Sequence, residues 1–149
     1  MSTTTSVLDN VIETLKDGHE GFRSAAAEAP SPALKTLFGE YSLQRNQFAG
    51  ELQGLARSAG ERDPADTGSV AGAVHRGWIN LKAAVSKQDA HAILAECERG
   101  EDVAIESYKK ALGTPDLPSH IADTLKHQLE AVEAAHIRIR GLRDELAPK

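Results

Sequence analysis

The sequence predicts an all-α protein: a ferritin-like antiparallel four-helix bundle, made of two helical hairpins joined by a long crossover that contains one shorter helix. Three observations carry this. Apolar residues recur at helical spacing over four long stretches, with no alternating strand pattern of useful length. Within each of two pairs the stretches are separated by a short turn bearing proline or glycine, so their helices must run antiparallel. The pairs themselves are separated by roughly 29 residues, enough chain to travel the length of a bundle. Hairpin, crossover, hairpin is the connectivity of ferritin-like bundles.

Each element has its own signals. The first helix is expected from Ser6, with Asp9 completing a capping box, to about Ala29, where Pro30-Ser31-Pro32 stops it. Ser31 is placed to cap the second helix, with Pro32 at the first helical position, where a missing N–H costs nothing. That helix should run to about Ala59 and end at Gly60. Residues 61–69 have loop chemistry, and a shorter helix is expected over 70–85. Asp89 should cap the third long helix, which ends near Gly113 and Pro115. The last begins around Asp116 to Ser119 and continues to about Leu146. Helices of this length span roughly 36–45 Å at 1.5 Å per residue.

The 149 residues make one domain, 1–149, with enough chain for a single core. Apolar residues at 40% and charged residues at 26% are ordinary for a globular chain. A balance of 17 basic against 22 acidic side chains, net −5, argues against nucleic acid or an anionic membrane as partner. The one cysteine, Cys97, excludes an internal disulfide or a cysteine-built zinc site and fits a reducing compartment. No leader is expected from the first residues, and no apolar run approaches the ~18 residues of a membrane span. A cytoplasmic protein is the expectation.

Polar residues interrupt the apolar stripes at similar heights. His19 falls inside the stripe of the first helix (Leu8, Val11, Ile12, Leu15, Phe22), and Glu101 inside that of the third (Ile93, Leu94, Cys97, Ala104, Tyr108). Gln128 lies within the last stripe, His136 at its edge, and Gln44 and Arg45 flank the second. A weak internal repeat matches Gly18-His19-Glu20 to Gly100-Glu101-Asp102, and Gln44 to Gln128, about the two turns. His19, Gln44, Glu101 and Gln128 are therefore expected in one buried layer.

A carboxylate in a bundle core is costly unless paired, protonated or bound to metal. One reading is structural, with Glu101 held by Arg45 or by protonated His19 to fix helix register. The other is a metal site of His19, Glu101 and His136 for iron, manganese or zinc, since bundles hold such metals with inward carboxylates and imidazoles. A full di-iron site is not expected: of its Glu-x-x-His motifs only Glu133-x-x-His136 is present, and the second helix offers Gln44-x-x-Gln47.

Three segments carry a resemblance: Glu13-Thr-Leu-Lys-Asp-Gly-His-Glu-Gly-Phe-Arg-Ser-Ala-Ala26, Gly68-Ser-Val-Ala-Gly-Ala-Val-His-Arg-Gly-Trp-Ile-Asn-Leu-Lys82 and Glu98-Arg-Gly-Glu-Asp-Val-Ala104. Over roughly residues 8–143 the chain resembles an uncharacterised bacterial ferritin-like four-helix-bundle family, a domain of unknown function. The resemblance implies that fold and a bacterial cytoplasmic protein, and implies no reaction. The position of His19 is commonly a glutamate in that family, and this chain departs from it there.

The remaining features read as structural. His75, His91, His120 and His127 are expected at the surface, Cys97 as an inert core thiol and Trp78 as a cover on the bundle. Arg138, Arg140 and Arg143 do not share a face tight enough for phosphate. Phosphate loops, nucleophile elbows and serine triads are absent from the sequence. Two classes of function remain: a non-catalytic helical protein whose polar layer specifies packing, or a metal-binding protein for storage or oxygen chemistry. A homo-oligomer is compatible with either.

Overall fold

The computed structural model describes residues 3–62, 64–65, 78, 80–87 and 89–146. Among these the regular structure is helical: α1 (Thr3–Glu28), α2 (Pro32–Ser58), α3 (Leu81–Ser86), α4 (Ala90–Leu112) and α5 (Ser119–Glu145). The two caps expected from sequence form. The Ser31 side chain accepts from the Leu34 N–H, with Pro32 at the start of α2, and the Asp89 side chain accepts from the Ala92 N–H at the start of α4. Gly60, at φ 105°, turns the chain after α2 through a region closed to most side chains.

Two helix starts and one cap differ from expectation. α1 starts at Thr3 rather than Ser6, because Thr5 is buried against the bundle and tertiary packing extends the helix. The capping box is not made at Ser6; Asp9 instead accepts the Ala65 N–H at 3.0 Å and ties down the chain beyond α2. Of the helix expected over 70–85, α3 accounts for the end, while residues 70–77 and 79 lie outside the described residues.

Packing gives the cyclic order α1, α2, α5, α4. α1 lies along α2, α5 along α4, and α1 along α4, while α2 and α5 touch only briefly. α2 faces α4, and α1 faces α5, across the bundle without backbone approach. α3 packs on the α1–α4 side. The core falls into two apolar halves. One gathers Leu8, Ile12, Leu15, Leu52, Tyr108, Leu125 and Val132; the other gathers Phe22, Phe38, Trp78, Leu94, Cys97 and Ile139.

Trp78 shows how the crossover is fixed. Its indole lies on Gly21 of α1 and Gly100 of α4, where a Cβ at either position would fall well inside van der Waals contact with the ring. Its edge meets Phe22 at a centroid distance of 5.3 Å and an interplanar angle of 76°, the T-shaped arrangement aromatic pairs favour. Glu96 completes the seat by accepting the Asn80 N–H just before α3, at 3.1 Å. The glycines lower helix propensity by about 1 kcal/mol each relative to alanine, and the close indole contact is what they gain.

Gly21→Ala and Gly100→Ala should each destabilise the protein by about 1–3 kcal/mol through overpacking. Because Trp78 is the single tryptophan of the sequence, its emission should shift to the red as it is displaced. Adding Gly100→Ala to Trp78→Ala should cost almost nothing further. Full additivity in denaturant melts would show that the indole and the glycine do not interact.

Candidate functional site

Between the two apolar halves lies a polar layer centred on Arg45 and Glu101. Arg45 projects from α2 and Glu101 from α4, the two helices that face each other diagonally, so a long side chain has to span the bundle centre. Both guanidinium NH groups engage the carboxylate: Nη1 with Oε1, and Nη2 with Oε2 at 2.9 Å. Each side chain is 1% exposed. The guanidinium stacks near Phe22 and Tyr41, with its carbon 5.3 and 5.8 Å from the ring centroids. These rings supply a cation–π environment in place of water. Nε makes a longer contact of 3.3 Å to Oε1 of Gln44. Burial pushes the Glu101 carboxyl above its ordinary range, and the Arg45 charge opposes that shift.

The other expected members of the layer take separate partners. His19 is held by Ser42 on the neighbouring helix, with Nδ1 3.0 Å from the Ser42 carbonyl oxygen and 2.9 Å from its hydroxyl. The Ser42 hydroxyl donates to the His19 carbonyl at 2.8 Å. With the proton on Nδ1, the ring donates to the Ser42 carbonyl and the hydroxyl proton goes to the His19 carbonyl, a tautomer that satisfies both backbone acceptors. Gln128 belongs to a different network. Its Oε1 accepts from the Tyr108 hydroxyl at 2.8 Å, and its Nε2 donates to the Phe48 carbonyl at 3.2 Å and reaches Glu51 at 3.4 Å. His136 pairs with Asp102, Nε2 to Oδ1 at 2.6 Å, on the outer side of α4.

The candidate metal set is thus divided: His19 on Ser42, Glu101 on Arg45 and His136 on Asp102. Among the described residues no group of three or more histidine, cysteine, aspartate or glutamate side chains is placed to hold a metal ion. Of the secondary features, Cys97 is buried, and burial together with Glu101 and Glu96 holds its thiol well above the ordinary range. Such a thiol is a poor nucleophile. His120 and His127 are exposed as expected, His91 is half-buried, and His75 lies outside the described residues. Arg143 is bound to Glu98 and Asp144 rather than left in solvent.

Sequence reasoning missed Ser42, Tyr108 and Asp102 as partners. Ser42 is one helical turn from Phe38 and Arg45 and follows the buried face of α2, which was the available signal. Asp102 carried none, since an exposed aspartate beside a buried glutamate looks like ordinary surface.

Fold and site together define a helical bundle with a diagonal buried ion pair and no assembled catalytic constellation among the described residues. The chain belongs to the family described as Domain of unknown function (DUF2383), which matches residues 3–114. That span contains Arg45, Glu101, Trp78 and both glycines beneath the indole, whereas Gln128 and His136 lie beyond it. No curated protein matches the chain.

Glu101→Ala should cost about 3–5 kcal/mol by stranding a buried guanidinium, whereas Arg45→Met combined with Glu101→Leu should be neutral or up to about 4 kcal/mol stabilising. Urea melts of the single and double variants would measure both. Tyr108 titrates in the opposite range. Burial raises its hydroxyl above the ordinary value of 10.0, so above pH 10 the unfolded chain releases this proton and the folded one does not. Stability present below pH 10 should then fall by about 1.4 kcal/mol per pH unit as the pH rises further. Tyr108→Phe should flatten that decline, while costing about 1–3 kcal/mol at neutral pH for the acceptor left on Gln128.

Proposed function

We propose that this is a non-catalytic, ferritin-like bundle protein of the bacterial cytoplasm whose polar layer fixes helix register. The observation carrying this reading is the bidentate Arg45–Glu101 pair: the carboxylate between the two apolar halves of the core already has its cation, in a site closed to solvent. Polar groups buried in this way restrict the alternatives open to a helical bundle, because any slip in register leaves a charge unpaired. The ferritin-like arrangement is supported by the cyclic order α1, α2, α5, α4, with the long connection between α2 and α4. The cytoplasmic setting is supported by the single cysteine, kept as a buried thiol.

The test is thermal unfolding of tag-free protein with chelator and with added Fe²⁺, Mn²⁺ or Zn²⁺. The midpoint should stay within a degree in every condition. A ligand at a hundred times its Kd would stabilise by about 2.7 kcal/mol, roughly 5–10 °C for a chain of this length. A rise of that size, absent from Glu101→Leu, would replace the structural reading with a metal site at His19, Glu101 and His136.

A further inference from the structure

We propose that Trp78 is a plug that keeps water from the Arg45–Glu101 pair, which makes the end of the crossover a latch on the polar layer. The indole and the pair lie at one height of both α1 and α4. On α4 the indole rests on Gly100, and the very next residue is Glu101. On α1 it rests on Gly21, while a Cβ at Gly18, three residues earlier, would lie 3.7 Å from Cγ of Arg45. Phe22 stands between the two, with its ring centroid 5.3 Å from that of the indole and 5.3 Å from the guanidinium carbon.

On the other sides of this level the long helices close the bundle with their own side chains. His19 and Ser42 meet between α1 and α2, and His136 and Asp102 between α4 and α5. Tyr41 of α2 flanks the guanidinium. The α1–α4 side is different, because Gly21 and Gly100 bring no side chain to it. Both glycines are nonetheless buried, and the ring that fills the place of each missing Cβ belongs to Trp78. Trp78 itself is 9% exposed, so one side chain spans from solvent to the ring that faces the ion pair.

A gap at this place would not stay dry. A purely apolar cavity excludes water, but one that opens toward a charged pair offers the polar partners that hold it. Hydration would then compete with the Arg45–Glu101 contact, whose strength depends on its being kept from solvent. The seat is also selective for shape: two facing glycines and the edge-on Phe22 leave a slot for a flat aromatic ring. Glu96, which accepts the Asn80 N–H two residues past the indole, holds the crossover in register with the slot. The plug presupposes the pair, as the structural reading of the layer does, yet the two fail separately: metal-dependent melting overturns that reading, and water access to the guanidinium decides this one.

The test is the hydrogen exchange of the Arg45 guanidinium, followed by heteronuclear NMR at its Nε–H. In wild type this proton should exchange slowly. In Trp78→Ala it should exchange at least about tenfold faster, with helical content by circular dichroism unchanged and the exchange of the Leu52 amide, in the other half of the core, unchanged as well. Excess free indole should enter the vacated slot and restore the slow rate, as small aromatics fill engineered cavities. Should Trp78→Ala loosen the whole bundle, Trp78→Phe gives the same readout, since the smaller ring cannot cover both glycines. An Arg45 proton equally protected in wild type and in the folded variant, fast exchange already in wild type, or a Trp78→Ala rate that indole leaves unchanged would each overturn the proposal.

Discussion

One contact organises the interior of this protein: a guanidinium from α2 meeting a carboxylate from α4 across the bundle's diagonal. The two helices have no backbone approach to each other, so the tie depends on the reach of an arginine side chain. Around it the core separates into an apolar half containing Leu15, Leu52 and Val132 and another containing Phe22, Leu94 and Ile139. The pair sits in the gap. Desolvating two charges there costs several kcal/mol per ion, and only bidentate geometry and surrounding rings bring that cost down.

The neighbours of the pair are matched to it. Phe22 serves three roles at one place: it faces the guanidinium, packs against Phe38 and Tyr41, and receives the edge of Trp78. The crossover is therefore mechanically linked to the ion pair through one aromatic ring. His19 and Ser42 close the α1–α2 side of the same level, and His136 and Asp102 close the α4–α5 side. Each of these two hairpins has its own polar clasp at mid-height, and the diagonal tie passes between them.

Much of the architecture was legible because it is written in local rules. Pro30-Ser31-Pro32 and Asp89 set helix starts through backbone geometry and capping, which depend on nearby residues alone. Glu101 stood out because a carboxylate in an apolar stripe always demands a partner. Its partner was legible as one of two, Arg45 or His19, and spacing did not choose between them: Arg45 lies on the flank of its own stripe, and only the structure shows its guanidinium reaching across to the carboxylate. The stripe of α1 points His19 toward the centre, yet it bonds to the adjacent helix, since a rotation of a few tens of degrees decides between the two. Gly21 and Gly100 look like ordinary helix weaknesses until the indole above them is placed. Contacts between distant segments fix these details, and spacing within one helix does not encode them.

The diagonal geometry also orders the events of folding. Arg45 and Glu101 belong to different hairpins, 56 residues apart, and meet only when the hairpins dock. Until that moment both charges stay hydrated, and the layer has no stability to contribute. The ion pair thus belongs to the native side of the folding barrier. It governs how slowly the docked bundle comes apart far more than how quickly it assembles.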